Sequence, residues 1–593
     1  MATTLAAALA AACRPDLHPP GFGGGFLDVT PAGQPVPPPW NRGRNDVMTY
    51  GLAGDLDGSG ATRLLLVDAD QPVQAQGYRF EGGALVADPF FRLGGGGASN
   101  APPLNGLLDL DGDGLADALF NAHDGLVAWG QPGGFGSPVA LGPVESPPAV
   151  GPAGLAVFDL DDDGWLDLLL TDDTCQNGRP AVRGLLCTGP RRYAERSDLV
   201  SPPSRSNDNA LGVGYLPDGT PVLETLGSDC AGGGGIPVHF VRGPPGGDGY
   251  PRFTPVDLLP GFDFSFAAPM GAVDADLDGD GLLDHVESLD PRHVVLQGRA
   301  DTGYADRTDD SDLAELRSAR GPSMIPWGVV AIDLDRDGRT DLVFAHGNDE
   351  SAWDSDRIGP QRLSAHWNGG GLRFADVSSA VHLDRPGQFM ALSVTDLDGD
   401  GDPDLLAGGE QEPPRVYENA IAGGHALSLR LRGTTSNPLG LGARVTVVAG
   451  GRTQRAIAGG LAAPLAMPEP LLFFGLGDAV TADVQVDWPS GTRQALAGQA
   501  VDRLVVVREP PSIVIDPPSR EVPADGTSKV RVTVNPPTAG RVTVEVDGQA
   551  VAVAVDGPAA VAEVTAPTAP GSAVVRVSVD GRALGVRPRL FFR

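Results

Sequence analysis

Positive charge is what this chain has least of. Its 593 residues hold 43 Lys and Arg against 76 Asp and Glu, a formal net charge of −33, and Lys529 is the sole lysine. With no basic patch to displace phosphate counterions, the composition argues against nucleic acid and equally against an anionic membrane surface. Long apolar runs are missing too: no stretch reaches the ~20 residues that span a bilayer. The four cysteines, Cys13, Cys175, Cys187 and Cys230, fit neither a zinc nor a thioredoxin-like spacing. Cys175 and Cys187 bracket a polar loop and could pair, with Cys230 as a competing partner. The nine histidines show no ligand-like spacing. No Ser/His/Asp set or phosphate-cradling loop stands out, and the glycine runs at 94–97 and 232–235 read as flexible loops. No residue is assigned a catalytic role or an organic cofactor.

Helical periodicity is nearly absent as well. Gly (83) and Pro (55) make up about a quarter of a chain that is 41% apolar, which points to an all-β architecture with many turns. Within it one loop recurs five times. Asp109, Asp111, Asp113 and Asp117 stand at positions one, three, five and nine, with Gly114 at position six and an apolar run following. The same spacing returns at Asp159, Asp161, Asp163 and Asp167; at Asp276, Asp278, Asp280 and Asp284; at Asp333, Asp335, Asp337 and Asp341; and at Asp396, Asp398, Asp400 and Asp404. Alternate carboxylates around a tight turn make an all-oxygen set suited to a hard cation, with Ca²⁺ favoured over Mg²⁺. Glycine at six permits the sharp bend. Position seven would offer a backbone carbonyl, leaving its side chain free: Leu115, Trp165, Leu282, Arg339 and Asp402 occur there. An EF-hand would need Glu at twelve, whereas Phe120, Leu170, Phe344 and Ala407 stand there, with Glu287 the exception. These are therefore read as β-hairpin metal loops, about five sites, and the metal's role as structural.

A decayed copy at Asp55 and Asp57 carries Arg63 at position nine. From Asp55 the first aspartates are spaced by 54, 50, 117, 57 and 63 residues. The double interval hides a shortened turn at Asp218 and Gly219, giving seven repeats of four-strand size, the signature of a β-propeller. An outer hairpin recurs in the repeats, as at Trp129 to Phe135, at Gly189 to Tyr193, at Gly303 and Tyr304, and at Trp367 to Val377. The last repeat, with Val416, Tyr417 and Asn419, lacks its final strand, and Phe26, Leu27 and Asp28 supply it. The expected domains are a leader or disordered tail at 1–21, a propeller at 22–420, and β domains at 424–509 and 511–593 joined by a Glu509-Pro510-Pro511 linker. The small apolar segment 2–12 ends at Cys13, a candidate lipid anchor. The loop from His346 through Asn348, Asp349 and Glu350 is a candidate binding surface, whereas Asp487, Trp488 and Pro489 read as a packed strand end.

The acidic loops and their Phe-x-Asp-Val partners resemble the FG-GAP/VCBS repeats of integrin-α-type seven-bladed propellers. Residues 437–445, 474–477 and 486–491 resemble the ASPIC/UnbV domain of cartilage acidic protein and its bacterial relatives. The tail around 522–528 is similar to invasin-type bacterial Ig-like domains. The resemblance implies calcium in the propeller loops, outside the blades of Arg63 and Asp218, and a secreted, periplasmic or cell-surface setting in bacteria; it implies no established reaction. The expected function is a calcium-stabilised extracellular binding, adhesion or scaffold protein with a protein or glycan partner. The alternatives are an exported enzyme acting on polysaccharide at the propeller axis, or a subunit of a surface assembly.

Overall fold

The computed structural model describes residues 17–31, 48–68, 75–88, 104–120, 125–142, 154–171, 182–200, 206–229, 238–246, 250–258, 268–290, 293–300, 303–313, 324–347, 361–410, 412–459, 466–536 and 540–593. Residues 2–12, Cys13, Cys175, Cys230, the loop at 348–350 and both glycine runs lie outside them. Among the described residues no helix is long and apolar enough to cross a membrane.

The fold is all-β: a seven-bladed propeller followed by two small β-sandwich domains. Blades two to six are separate four-stranded antiparallel sheets, beginning at Leu104–Leu108, Leu155–Phe158, Ser206–Tyr215, Ala268–Ala275 and Pro326–Ile332. The first blade, from Met48–Gly54 to Ala84–Ala87, is joined edgewise to the seventh. First strands of neighbouring blades pack side by side and so ring the axis. The blades are short alternating strands cut by Asp/Gly turns, and their faces bury Leu, Val and Phe into clusters between neighbouring sheets. The ring closes as the sequence demands. Phe26–Asp28 pairs antiparallel with Glu412–Asn419, Phe26 opposite Asn419 and Asp28 opposite Tyr417. The N-terminal strand thereby becomes the outer strand of the last blade and covers the edge that Glu412–Asn419 would otherwise expose.

The next unit stacks a three-stranded sheet, ordered Leu471–Gly477, His425–Arg432, Arg503–Arg508, on a four-stranded one running from Arg452–Ile457 to Arg493–Ala500. Leu427, Leu429, Val445, Val447, Phe474 and Val486 fill its core, and Trp488 is buried at a strand end. The tail is a second two-sheet sandwich, with Val530, Val532, Val575, Val577 and Leu590 between the sheets.

The expected linker is instead a clasp. Glu509 is buried, and its Oε2 accepts the backbone N–H groups of Thr434, Thr435 and Ser436, each at 2.8 Å, while Oε1 accepts the hydroxyls of Ser436 and Ser490. Thr435 Oγ1 in turn accepts Ser512 N at 2.9 Å and Ile513 N at 3.1 Å. Glu509 and Thr435 thus tie both sides of the double proline to the turn at 434–436.

Candidate functional site: the acidic loops and the domain they carry

Each acidic loop joins the first strand of a blade to its second. Glycine at position six takes φ of +86 to +92° in all five: Gly114, Gly164, Gly281, Gly338 and Gly401. That left-handed turn lets its N–H point back to the position-one carboxylate, at 3.0 Å for Asp109, 2.9 Å for Asp159, 3.0 Å for Asp276, 2.7 Å for Asp333 and 3.1 Å for Asp396. Carboxylate oxygens of positions one, three and nine lie within 4.8 Å of one another in at least four loops: Asp109, Asp111 and Asp117; Asp159, Asp161 and Asp167; Asp276, Asp278 and Asp284; Asp333, Asp335 and Asp341.

Position nine has a second task that spacing alone does not reveal. Asp117 accepts Leu110 N at 2.8 Å with one oxygen and Gly130 N at 2.7 Å with the other. Asp167 does the same for Leu160 and Cys187, Asp284 for Leu277 and Gly298, Asp341 for Leu334 and Asn368, and Asp404 for Leu397 and Asn419. One carboxylate thus pins the loop's entry to the third strand or outer hairpin of its blade. Position five is less constrained: Asp113, Asp163, Asp280, Asp337 and Asp400 accept the N–H two residues on.

Crowding these acids together is costly. Burial, reinforced by neighbouring carboxylates, pushes Asp109 up to about 6, Asp117 to about 8, Asp284 to about 7 and Asp396 to about 7. Asp159, Asp167, Asp333, Asp341 and Asp404 rise well above the carboxylate range for the same reasons. Asp163 Oδ2, Asp276 Oδ1 and Asp335 Oδ1 are buried without a hydrogen-bond partner among the described residues. Oxygen-only donors with free lone pairs and raised pKa values fit a bound hard cation, which would favour the ionised form. In the decayed loop guanidinium groups take that place: Arg63 reaches Asp57 at 2.9 Å and Arg432 reaches Asp55 at 3.0 Å. Guanidinium groups also approach loops with the full pattern, as where Arg191 lies 2.5 Å from Asp111.

Position-seven side chains, expected to be free, are engaged in three of the loops. Trp165 stacks on Phe591 of the tail at 5.9 Å with Arg520 over its face, Asp402 is buried against Arg336 at 2.8 Å, and Arg339 turns back onto Asp337. For Trp165 the reason is that both C-terminal domains sit on this face of the ring. Ser428 donates to Asp396 at 2.5 Å, Leu504 N to Gly399 O at 3.1 Å, and Arg452 to Asp337 O. Arg430, fully buried on the second domain, donates to Thr62 at 3.1 Å and pairs with Glu469, which also accepts Thr395 Oγ1 at 3.0 Å.

The first strands enclose an axial cavity of about 290 Å³. Its wall is mainly Val, Ala, Leu and Phe from blades two to seven, and residues 453–457 and 467–474 of the second domain cover it. His346, expected on an exposed loop, is instead buried at the end of Asp341–His346 and bonded to Ser364 at 2.8 Å. Cys187 forms no disulfide among the described residues; its thiol contacts Gly189 O at 3.3 Å. Two of the histidines do cluster in space, contrary to their spacing: Glu224, His239 and His285 bring ligand atoms within 4.8 Å of one another. No local signal marks them, because they come from strands of two different blades.

Comparisons with known proteins agree with this layout. The FG-GAP-like repeat family matches residues 109–170 and 333–407, and the ASPIC and UnbV family matches 433–514. No curated protein sequence matches the chain. Solved structures with some likeness include an Agrocybe aegerita lectin described as recognising non-reducing terminal N-acetylglucosamine (14% identity, 73% of this chain, 95% of that one, TM-score 0.33). Others are the exotype rhamnogalacturonan lyase YesX (14%, 66% and 76%, TM-score 0.35) and the plexin A4 extracellular region (9%, 97% and 77%, TM-score 0.35). Likeness at this depth carries no functional weight. Two families, matched in order along one chain, do carry weight: this protein bears FG-GAP-like repeats in its propeller and an ASPIC and UnbV domain docked behind them.

Proposed function

We propose that the protein is a calcium-stabilised extracellular binding or scaffold protein, in which loop-bound Ca²⁺ holds the propeller and its docked domains in one rigid body. The observation that carries this reading is the repeated convergence of buried carboxylates, with oxygen donors only, at the face on which the second domain sits. Such sites suit a hard cation, and FG-GAP-like repeats favour an extracellular setting. The axial cavity is lined mainly by apolar side chains, with Asp274, Asp276, Arg455 and Glu469 as its charged members, and the second domain covers it, which favours binding at the outer surface over catalysis at the axis.

At free calcium of one to ten times Kd, each site adds roughly 0.4–1.4 kcal/mol by mass action. Five such sites add several kcal/mol to a total that is typically ~5–15 kcal/mol. Thermal melts in calcium and in excess EGTA test this: a marked fall in Tm on chelation is expected, and an identical melt refutes the calcium role. Pull-downs on glycan and protein arrays with the calcium-loaded chain then address the partner.

A further inference from the structure

Between the fourth and fifth blades four ligand-type side chains lie in the interior: Glu224, His239 and His285 bring ligand atoms within 4.8 Å of one another, Glu224 lies 3.8 Å from His285 Nδ1, and Glu287 approaches both histidines. Glu224 comes from Pro221–Asp229, His239 from Val238–Arg242, and His285 and Glu287 from Asp284–Asp290. Their exposures are 2%, 5%, 0% and 1%. His239 Nε2 lies 3.5 Å and His285 Nε2 3.2 Å from the same Glu287 oxygen. Glu224 Oε2, His239 Nε2 and Glu287 Oε2 make no hydrogen bond among the described residues. Three polar atoms buried without a hydrogen bond are expensive unless something joins them. Backbone bulk is also withheld from the spot: a Cβ on Gly214 would stand 2.4 Å from Asp274 Oδ2 and 2.6 Å from Glu224 Oε1.

We propose that Glu224, His239, His285 and Glu287 form a closed binding site for one divalent first-row transition metal, zinc foremost, that fastens the fourth blade to the fifth. Imidazole nitrogen with carboxylate oxygen is a donor set for zinc and its neighbours, not for calcium. A tetrahedral centre with bonds of about 2.0–2.1 Å has ligand-to-ligand edges of about 3.3–3.4 Å. The two edges on Glu287, 3.2 and 3.5 Å, bracket that value. Two carboxylates neutralise a dication, so the ion and its four ligands together carry no net charge. The outer ring fits as well. His285 Nδ1 lies 2.8 Å from Asp274 Oδ1, and Asp274 Oδ2 accepts Tyr215 N at 2.8 Å, so a carboxylate anchored by backbone orients the imidazole. Glu287, the exception at position twelve of its loop, turns away from that loop and toward the histidines.

The full chain is stripped of metal, dialysed into millimolar calcium to satisfy the acidic loops, and titrated with zinc chloride. Bound metal is counted by mass spectrometry, and Co²⁺ is loaded in parallel to read its ligand field. One zinc per chain that calcium does not displace, a tetrahedral Co²⁺ spectrum, loss of binding in His239→Ala, and about 10–100-fold weaker binding in Asp274→Asn are expected. Absence of calcium-resistant zinc in the wild-type chain overturns the proposal and leaves a buried ion-pair network. Undiminished zinc binding in folded His239→Ala overturns it equally. Should that variant fail to fold, the wild-type stoichiometry and Co²⁺ spectrum decide. Because calcium is present throughout, failure here leaves the calcium reading intact, and failure of calcium to stabilise the chain leaves the zinc count unaffected.

Discussion

Position nine of the acidic loops is the place where metal binding and backbone architecture can be separated. In Asp117→Asn one oxygen is replaced by an NH₂ group facing a backbone donor. Either Leu110 N or Gly130 N, both buried with Asp117 between them, loses its acceptor. A hydrogen bond to a charged acceptor contributes about 1.5–3 kcal/mol, and a buried donor left unpaired costs about 1–3 kcal/mol. The expected destabilisation is therefore about 2–5 kcal/mol even with no calcium present. Asp113→Asn removes the same charge from the same loop, but Asp113 is exposed and its remaining oxygen still accepts Leu115 N. In EGTA it should change stability by no more than about 0.5 kcal/mol, or raise it slightly by relieving repulsion. Urea titration of both variants in excess EGTA, followed by tryptophan fluorescence, reads the difference directly. In saturating calcium both should lose part of the calcium-dependent gain. Equal midpoints for the two variants in EGTA would refute the staple role of position nine.

Other outcomes follow from the same structure. Glu509→Ala orphans three backbone N–H groups and removes an acceptor from the Ser436 and Ser490 hydroxyls, so it should be more destabilising than any surface change, by at least about 3 kcal/mol in a urea titration, and should open the 434–436 turn to proteolysis. Glu469→Ala strands the buried Arg430 and should lower the unfolding free energy by about 3–5 kcal/mol; Arg430→Met with Glu469→Gln should recover much of it. Burial holds His346 down to about 3 and His366 down to about 4; His366 and Arg362 lower His346 further, and Asp376 opposes the shift at both. Unfolded histidines bind protons near pH 6.5, so stability is complete above that pH and lost as pH falls toward the folded values. By pH 5 each should cost about 2 kcal/mol; measured in saturating calcium, His366→Gln should flatten the slope between pH 6.5 and 5, and an unchanged slope refutes the assignment.

The ring was legible in the sequence because its signals are local and repeated. Asp/Gly turns fix where strands reverse, and the missing final strand of the last repeat pairs with Phe26–Asp28 as its pattern requires. What escaped was the side-chain contact made across repeats and between domains. Glu224 and His285 are 61 positions apart in sequence and belong to different sheets, so only the packing of one blade on the next joins them. The proline pair after Glu509 has linker composition, yet the carboxylate beside it finds three convergent N–H groups that no residue pattern announces. Trp165 and Asp402 occupy a loop position where many residue types occur, so their use as packing and pairing contacts is invisible until the neighbouring elements are in place.

The closing strand sets an order of events during synthesis. Phe26–Asp28 is made early, but its pairing partner, Glu412–Asn419, is the last strand of the ring to be made. Until then the growing chain carries an unmated strand at one end and an open blade at the other, both templates for foreign pairing. Such non-local closure is intrinsically slow. An internal cut between blades should therefore be more tolerable than loss of the few residues that close the ring.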